Sequence, residues 1–140
     1  MADLWTKEQR SRVMSRVKNK NTKPEVQVRS MLHRMGYRFR LHRRDLAGAP
    51  DIVLPRHRKA VFVHGCFWHN HDCPRGKRPR TRTEFWNAKL DANIERDRAN
   101  QKALEEKGWR VLTLWECEVK DSVYIQEKLR HFLEDDPQSN

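Results

Sequence analysis

Tyr37-Arg-Phe-Arg-Leu-His42, Asp51-Ile-Val-Leu54 and Ala60-Val-Phe-Val63, all within residues 37–63, decide the fold. In the first run Tyr37, Phe39 and Leu41 alternate with Arg38, Arg40 and His42, the period of a half-buried strand. The turn residues Gly48-Ala-Pro50 lead into the second run, and the third makes another short strand. Upstream, Thr22-Lys-Pro-Glu25 offers a capping threonine with an acid three residues on. Val28, Met31, Leu32 and Met35 then recur at helical spacing until Gly36 ends the helix. Downstream, residues 65–82 mix Cys, His, Pro, Gly and Arg without periodicity, a loop that needs something to hold it. A long charged helix over 83–107 carries Trp86, Leu90, Ile94 and Leu104 on one side and stops at Gly108. Residues 109–115 are apolar almost throughout, which predicts a central strand, and Ile125, Leu129, Phe132 and Leu133 mark a last helix. The expected fold is α/β, a small mixed sheet flanked by helices, with the long helix as a crossover.

A chain of 140 residues suits one domain with a modest core. Thirty Lys plus Arg against nineteen Asp plus Glu leave a formal charge of +11. Such a surplus points to a polyanionic partner, because each phosphate neutralised releases counterions; the plainer reading is a basic solubility surface. Residues 1–20 hold Lys7, Arg10, Arg12, Arg16, Lys18 and Lys20 with few apolar residues, and read as a basic arm outside the core. Residues 21–135 are expected to form the single domain and 136–140 a frayed tail. No apolar run reaches 18 residues and the N-terminus lacks the apolar stretch of a secretory signal. A membrane span is therefore excluded and a cytoplasmic or nucleoid location expected.

Three cysteines in such a chain argue for metal or buried thiols, not for a disulfide framework. Cys66, His71 and Cys73 lie within eight residues, and Cys117 follows the last strand, where it can close a site against the sheet. Three thiolates and one imidazole make the closed tetrahedral set of a structural zinc site, whereas magnesium asks for oxygen. The alternative is three unrelated thiols.

Asp51 heads one strand, His64 ends another, and His69 lies in the Cys/His loop. A carboxylate can hold Mg²⁺, which polarises a phosphate and activates water, while two imidazoles exchange protons with water and leaving oxygen. Singly, each residue has a plain alternative: Asp51 capping a turn, either histidine ligating zinc, Glu25 serving only the capping box. Phe67 and Trp68 sit between a candidate zinc ligand and His69, where burial in a core is awkward. Trp86 reads equally as an aromatic residue beside that loop or as core; Trp109 and Trp115 read as core.

Taken together, His64-Gly-Cys-Phe-Trp-His69-x-His71-x-Cys73 resembles the signature of the very-short-patch-repair (Vsr) mismatch endonucleases. The likeness continues through Thr81-Arg-Thr-Glu-Phe-Trp86, Asn93-x-Glu-Arg-Asp97, Gly108-Trp-Arg-Val-Leu112 and Trp115-Glu-Cys117, and includes Met14 and Gly48-x-Pro-Asp51. It spans about residues 10 to 118. The resemblance implies a core like that of type II restriction enzymes and a Mg²⁺-dependent nick 5′ of the thymine in a T:G mismatch, the product of 5-methylcytosine deamination. It implies Asp51 and the main-chain carbonyl of Val63 as Mg²⁺ ligands, His64 and His69 in acid–base chemistry, and Glu25 assisting through a hydrogen bond. Cys66, His71, Cys73 and Cys117 would bind zinc. Phe67, Trp68 and Trp86 would intercalate beside the mismatch from the major groove, and Met14 would wedge in from the minor groove. The partner would be double-stranded DNA met by a monomer, with a repair polymerase and ligase acting on the product. Two departures stand out: Val63-His-Gly65 occupies the place of the wider acid-x-lysine pattern, and Val63 replaces the family's common threonine. Two rival classes remain, a non-catalytic zinc-dependent DNA-binding module and a restriction-like nuclease or toxin acting on matched DNA or RNA.

Overall fold

The computed structural model describes residues 22–69 and 71–134. The first helix, α1 (Lys23–Arg34), starts where Thr22 Oγ1 accepts the Glu25 N–H at 3.3 Å, and its chain turns away through Gly36 at φ +89°. Three strands follow, β1 (Arg40–Leu41), β2 (Ile52–Leu54) and β3 (Lys59–His64). The long helix α2 (Thr83–Glu106) crosses over to β4 (Arg110–Trp115), and a short helix α3 (Glu116–Val119) and α4 (Ser122–Glu134) complete the fold. The sheet runs β1-β2-β3-β4, antiparallel at the first two junctions and parallel between β3 and β4. It is the mixed sheet expected, and the parallel pair is the one that a helical crossover permits.

Alternation along the strands divides the core between two faces. Ile52, Leu54 and Val61 pack with Val28 and Leu32 of α1 and with Ile125 and Leu129 of α4. Val53, Ala60 and Phe62 point the other way, against Leu104 and Trp109 at the end of the α2 crossover. Lys59 is almost wholly buried and donates through Nζ to the carbonyls of Phe132 and Leu133, at 2.6 and 3.0 Å, so its charge meets the C-terminal end of α4.

Two sequence expectations need correction. The first strand shrinks to two residues: residues 37–39 stay outside the ladder, His42 at φ +49° ends the extended run, and Leu41 is left exposed on an edge strand. Residues 110–115 are not central: among the described residues β4 pairs only with β3. Its apolar character comes from two covered faces, Val111 packing with the Leu104–Trp109 group and Leu112 and Leu114 with the α1/α4 core. Residues 1–20, Met14 among them, and the tail 136–140 lie outside the described residues.

Candidate functional site

The parallel register sets His64 opposite Trp115, so the C-terminal ends of β3 and β4 deliver their side chains to the same rim of the sheet. Such ends, with loops leaving them, are where open α/β sheets gather ligands. Here a cleft of about 860 Å³ opens, lined by Asp51, His64, His69, Asp97, Arg44 and Arg98 among others.

Asp51 stands immediately before β2, and its Oδ2 accepts the Val63 N–H at 2.7 Å, tying the head of one strand to the end of the next. Burial pushes its carboxyl up to about 7; the Val63 N–H works against this, and the adjacent Glu25 carboxyl adds to it. Glu25, only 1% exposed, turns its carboxylate away from its own helix cap and bonds Arg29 and His42, the latter at 2.9 Å. The capping-box reading of Glu25 therefore holds only for Thr22: the acid belongs to the cleft.

His64 and His69 stack with centroids 3.7 Å apart and planes 4° from parallel. Burial, then the neighbouring His69, holds His64 down to about 4, while Asp97 pulls weakly the other way, so His64 is neutral at pH 7. His64 Nδ1 is buried without a hydrogen-bond partner among the described residues. His69 pairs through Nδ1 with Asp97 Oδ2 at 2.6 Å, which places the hydrogen on Nδ1 and leaves Nε2 for another partner.

A second cluster adjoins the first. One ligand atom from each of Cys66, His71, Cys73 and Cys117 lies within 4.8 Å of the others, and Cys117 Sγ is 3.5 Å from His71 Nδ1. Buried Cys66 is pushed up to about 12 by burial, a thiol that only a bound cation would ionise. At Cys73 burial is outweighed by hydrogen bonds from His71 and main-chain groups of the loop, and the thiol comes down to about 7. The donor set, its span and its mix of buried and ionisable thiols fit a tetrahedral metal. The loop is drawn so tight that a Cβ on Gly76 would sit 1.9 Å from the His71 carbonyl oxygen.

Phe67, Trp68 and Trp86 form a third group, with ring centroids 5.1 to 6.0 Å apart. None belongs to either core cluster, Trp86 included. Asn93 Nδ2 donates to the Trp68 carbonyl at 2.9 Å, and Lys89 Nζ lies 5.9 Å from the Trp68 ring centroid. Arg78 fastens the loop to α2 through Asn87 and Asp91.

Glu25, Asp51, Val63, His64 and His69 thus meet at one cleft or its inner wall. Sequence reasoning missed Asp97, Asn93 and His42, and it assigned Trp115 to the core. Trp115 instead stacks on His71 at 4.2 Å and meets His64 edge-on at 5.4 Å, joining the Cys/His cluster to the cleft. A signal for two of the missed residues was present. Trp86, Leu90, Asn93, Asp97, Asn100 and Leu104 repeat at helical spacing, and polar residues inside a buried stripe call for partners.

The family model described as DNA mismatch endonuclease Vsr matches residues 2–75. The type II nicking enzyme V.XorIIP of Xanthomonas oryzae pv. oryzae is 48% identical over 134 residues, covering 96% of this chain and 98% of that one. The DNA mismatch endonuclease Vsr of Escherichia coli is 44% identical over 120 residues, 86% of this chain and 77% of that one. Among solved structures, the homing endonuclease I-Bth0305I catalytic domain superposes with a TM-score of 0.60 at 20% identity, over 84% of this chain and 100% of that one, a likeness of fold. Among the described residues no helix is long and apolar enough to cross a membrane.

Proposed function

The chain belongs to the DNA mismatch endonuclease Vsr family and is a DNA endonuclease, and we propose that it nicks one strand 5′ of the thymine in a T:G mismatch. The observation that carries the reading is the meeting of half-buried Asp51 with the stacked His64 and His69 in one cleft, with Phe67 and Trp68 on the loop that carries His69 and Trp86 beside them on α2.

Asp51 and the Val63 carbonyl are the groups to hold Mg²⁺. When bound, the cation supplies Lewis-acid polarisation of the scissile phosphate and eases deprotonation of water. The Val63 N–H holds the Asp51 carboxylate in a single orientation, and Glu25 supports it from the interior. Stacked imidazoles disfavour carrying charge together, so the pair divides its work. Neutral His64 accepts the proton of the attacking water, while His69, its Nδ1–H held by Asp97, gives the proton on Nε2 to the leaving oxygen. Cys66, His71, Cys73 and Cys117 hold zinc, which fixes the loop that carries His69, Phe67 and Trp68. Residues 1–20 supply phosphate contacts, with Met14 entering the minor groove. One nick at an asymmetric lesion needs only a monomer, and a repair polymerase and ligase complete the repair at the nucleoid.

Phe67, Trp68 and Trp86 stack into the opened mismatch. Base–aromatic stacking contributes about 1–3 kcal/mol per base, and a weakened pair opens at the least cost. Trp68→Ala is therefore expected to weaken binding to a T:G duplex by about 1–3 kcal/mol, with a smaller loss on the matched duplex. Affinities of both proteins for both duplexes across salt concentration measure this. An equal loss on the two duplexes would mean that Trp68 supports the loop and does not read the lesion.

A further inference from the structure

Glu25 from α1, His42 from the end of β1 and Asp51 from the head of β2 converge on the inner wall of the cleft. A ligand atom from each lies within 4.8 Å of the other two, the span of a single coordination shell. His42 is held by two constraints. Its N–H donates to the Asp51 carbonyl at 3.2 Å, and its backbone stands at φ +49°, a region that few non-glycine residues occupy. Its Nε2 is 2.9 Å from Glu25 Oε2, which Arg29 also bonds and so keeps in direction. The proton transfers assigned above leave His42 without a task, yet its ring is fixed beside both acids.

A site made of carboxylates and carbonyls suits Mg²⁺, which takes oxygen ligands and dehydrates reluctantly. An imidazole changes that chemistry, because nitrogen raises affinity for first-row transition cations more than for Mg²⁺. We propose that His42 is a third protein ligand at the Asp51 cation site and makes that site select Mn²⁺ over Mg²⁺. The proposal rests on the reading that Asp51 holds the divalent cation. On binding, His42 Nε2 exchanges its contact with Glu25 for the cation, and the backbone stays where it is.

The test uses the full zinc-loaded chain, with Mn²⁺ binding followed by electron paramagnetic resonance and Mg²⁺ by competition. His42→Gln keeps a hydrogen-bonding side chain. His42→Asn is the second variant, since asparagine accepts the left-handed backbone readily and guards against a failure to fold. In both, the ratio of Mn²⁺ to Mg²⁺ affinity is expected to fall about tenfold or more, and the nitrogen modulation in the spin echo of bound Mn²⁺ to vanish. An unchanged ratio, or nitrogen modulation that survives both substitutions, overturns the proposal and leaves His42 as a hydrogen-bond partner of Glu25. Asp51→Asn should lose both cations. If it keeps them, the Asp51 reading itself fails, an outcome distinct from the failure of His42 alone.

Discussion

Asp51→Asn is expected to lower the nicking rate by about three orders of magnitude, several kcal/mol of metal-dependent stabilisation, and to leave DNA binding in place. The substitution is nearly isosteric. The amide oxygen can still accept the Val63 N–H, and the amide nitrogen can donate to Glu25, where two acids now face each other. Stability should not fall. Because the folded carboxyl is raised from 3.8 to about 7, the folded state holds that proton more tightly than the unfolded chain does. The ionised group therefore costs stability increasingly from about pH 4 upward, fully so above about pH 7. Without divalent cation, the asparagine protein should melt no lower than the parent at pH 8. Single-turnover cleavage and thermal melts on the same preparations check both halves. Parental cleavage would remove Asp51 as metal ligand, and a collapsed melting temperature would make the lost activity uninformative.

Removing the zinc is expected to have the largest effect on the fold. Metal binding of this kind contributes about 10–16 kcal/mol in small zinc domains, and the described residues between 65 and 82 include no strand and only one turn of 3-10 helix, Pro74–Gly76. Cys73→Ser is the more discriminating substitution, because Cys66 is fully buried and its loss would also disturb packing. Cys73 is half-buried, so its replacement disturbs packing less and reports more directly on a bound metal. The variant, or the parent treated with chelator, should melt on the order of 10 °C lower or more, with loop amides exchanging rapidly. Metal analysis of protein prepared without chelator should find one zinc per chain; finding none would contradict the assignment.

The architecture was legible wherever periodicity and punctuation agreed. Thr22 and Gly36 bracket the first helix, Gly108 ends the second, and the alternation through Ile52–Leu54 and Lys59–His64 sorts the side chains to two faces. What periodicity cannot convey is which strand stands at an edge. A run buried on both faces looks alike in the middle of a sheet and beside an open margin, which is why residues 110–115 misled. The Cys/His cluster was legible because the chemistry of its ligands narrows the choice of metal. The partners of the cleft were not. His69 meets Asp97 across 28 positions and Glu25 meets His42 across 17, contacts set by how α2 and α1 lie on the sheet. Glu25 illustrates the ambiguity: its place three residues after Thr22 announces a cap, and only the packed structure sends its carboxylate to Asp51.

The claim that joins these parts is nicking directed by a mismatch. Its most direct test is single-turnover cleavage, with Mg²⁺, of T:G duplexes carrying randomised flanks beside their matched counterparts, each product mapped to the nucleotide. The account predicts one cut, on the thymine strand, immediately 5′ of the mismatched thymine, with the matched duplexes left essentially intact. Equal cleavage of matched duplexes, or cuts distributed over both strands, would contradict it.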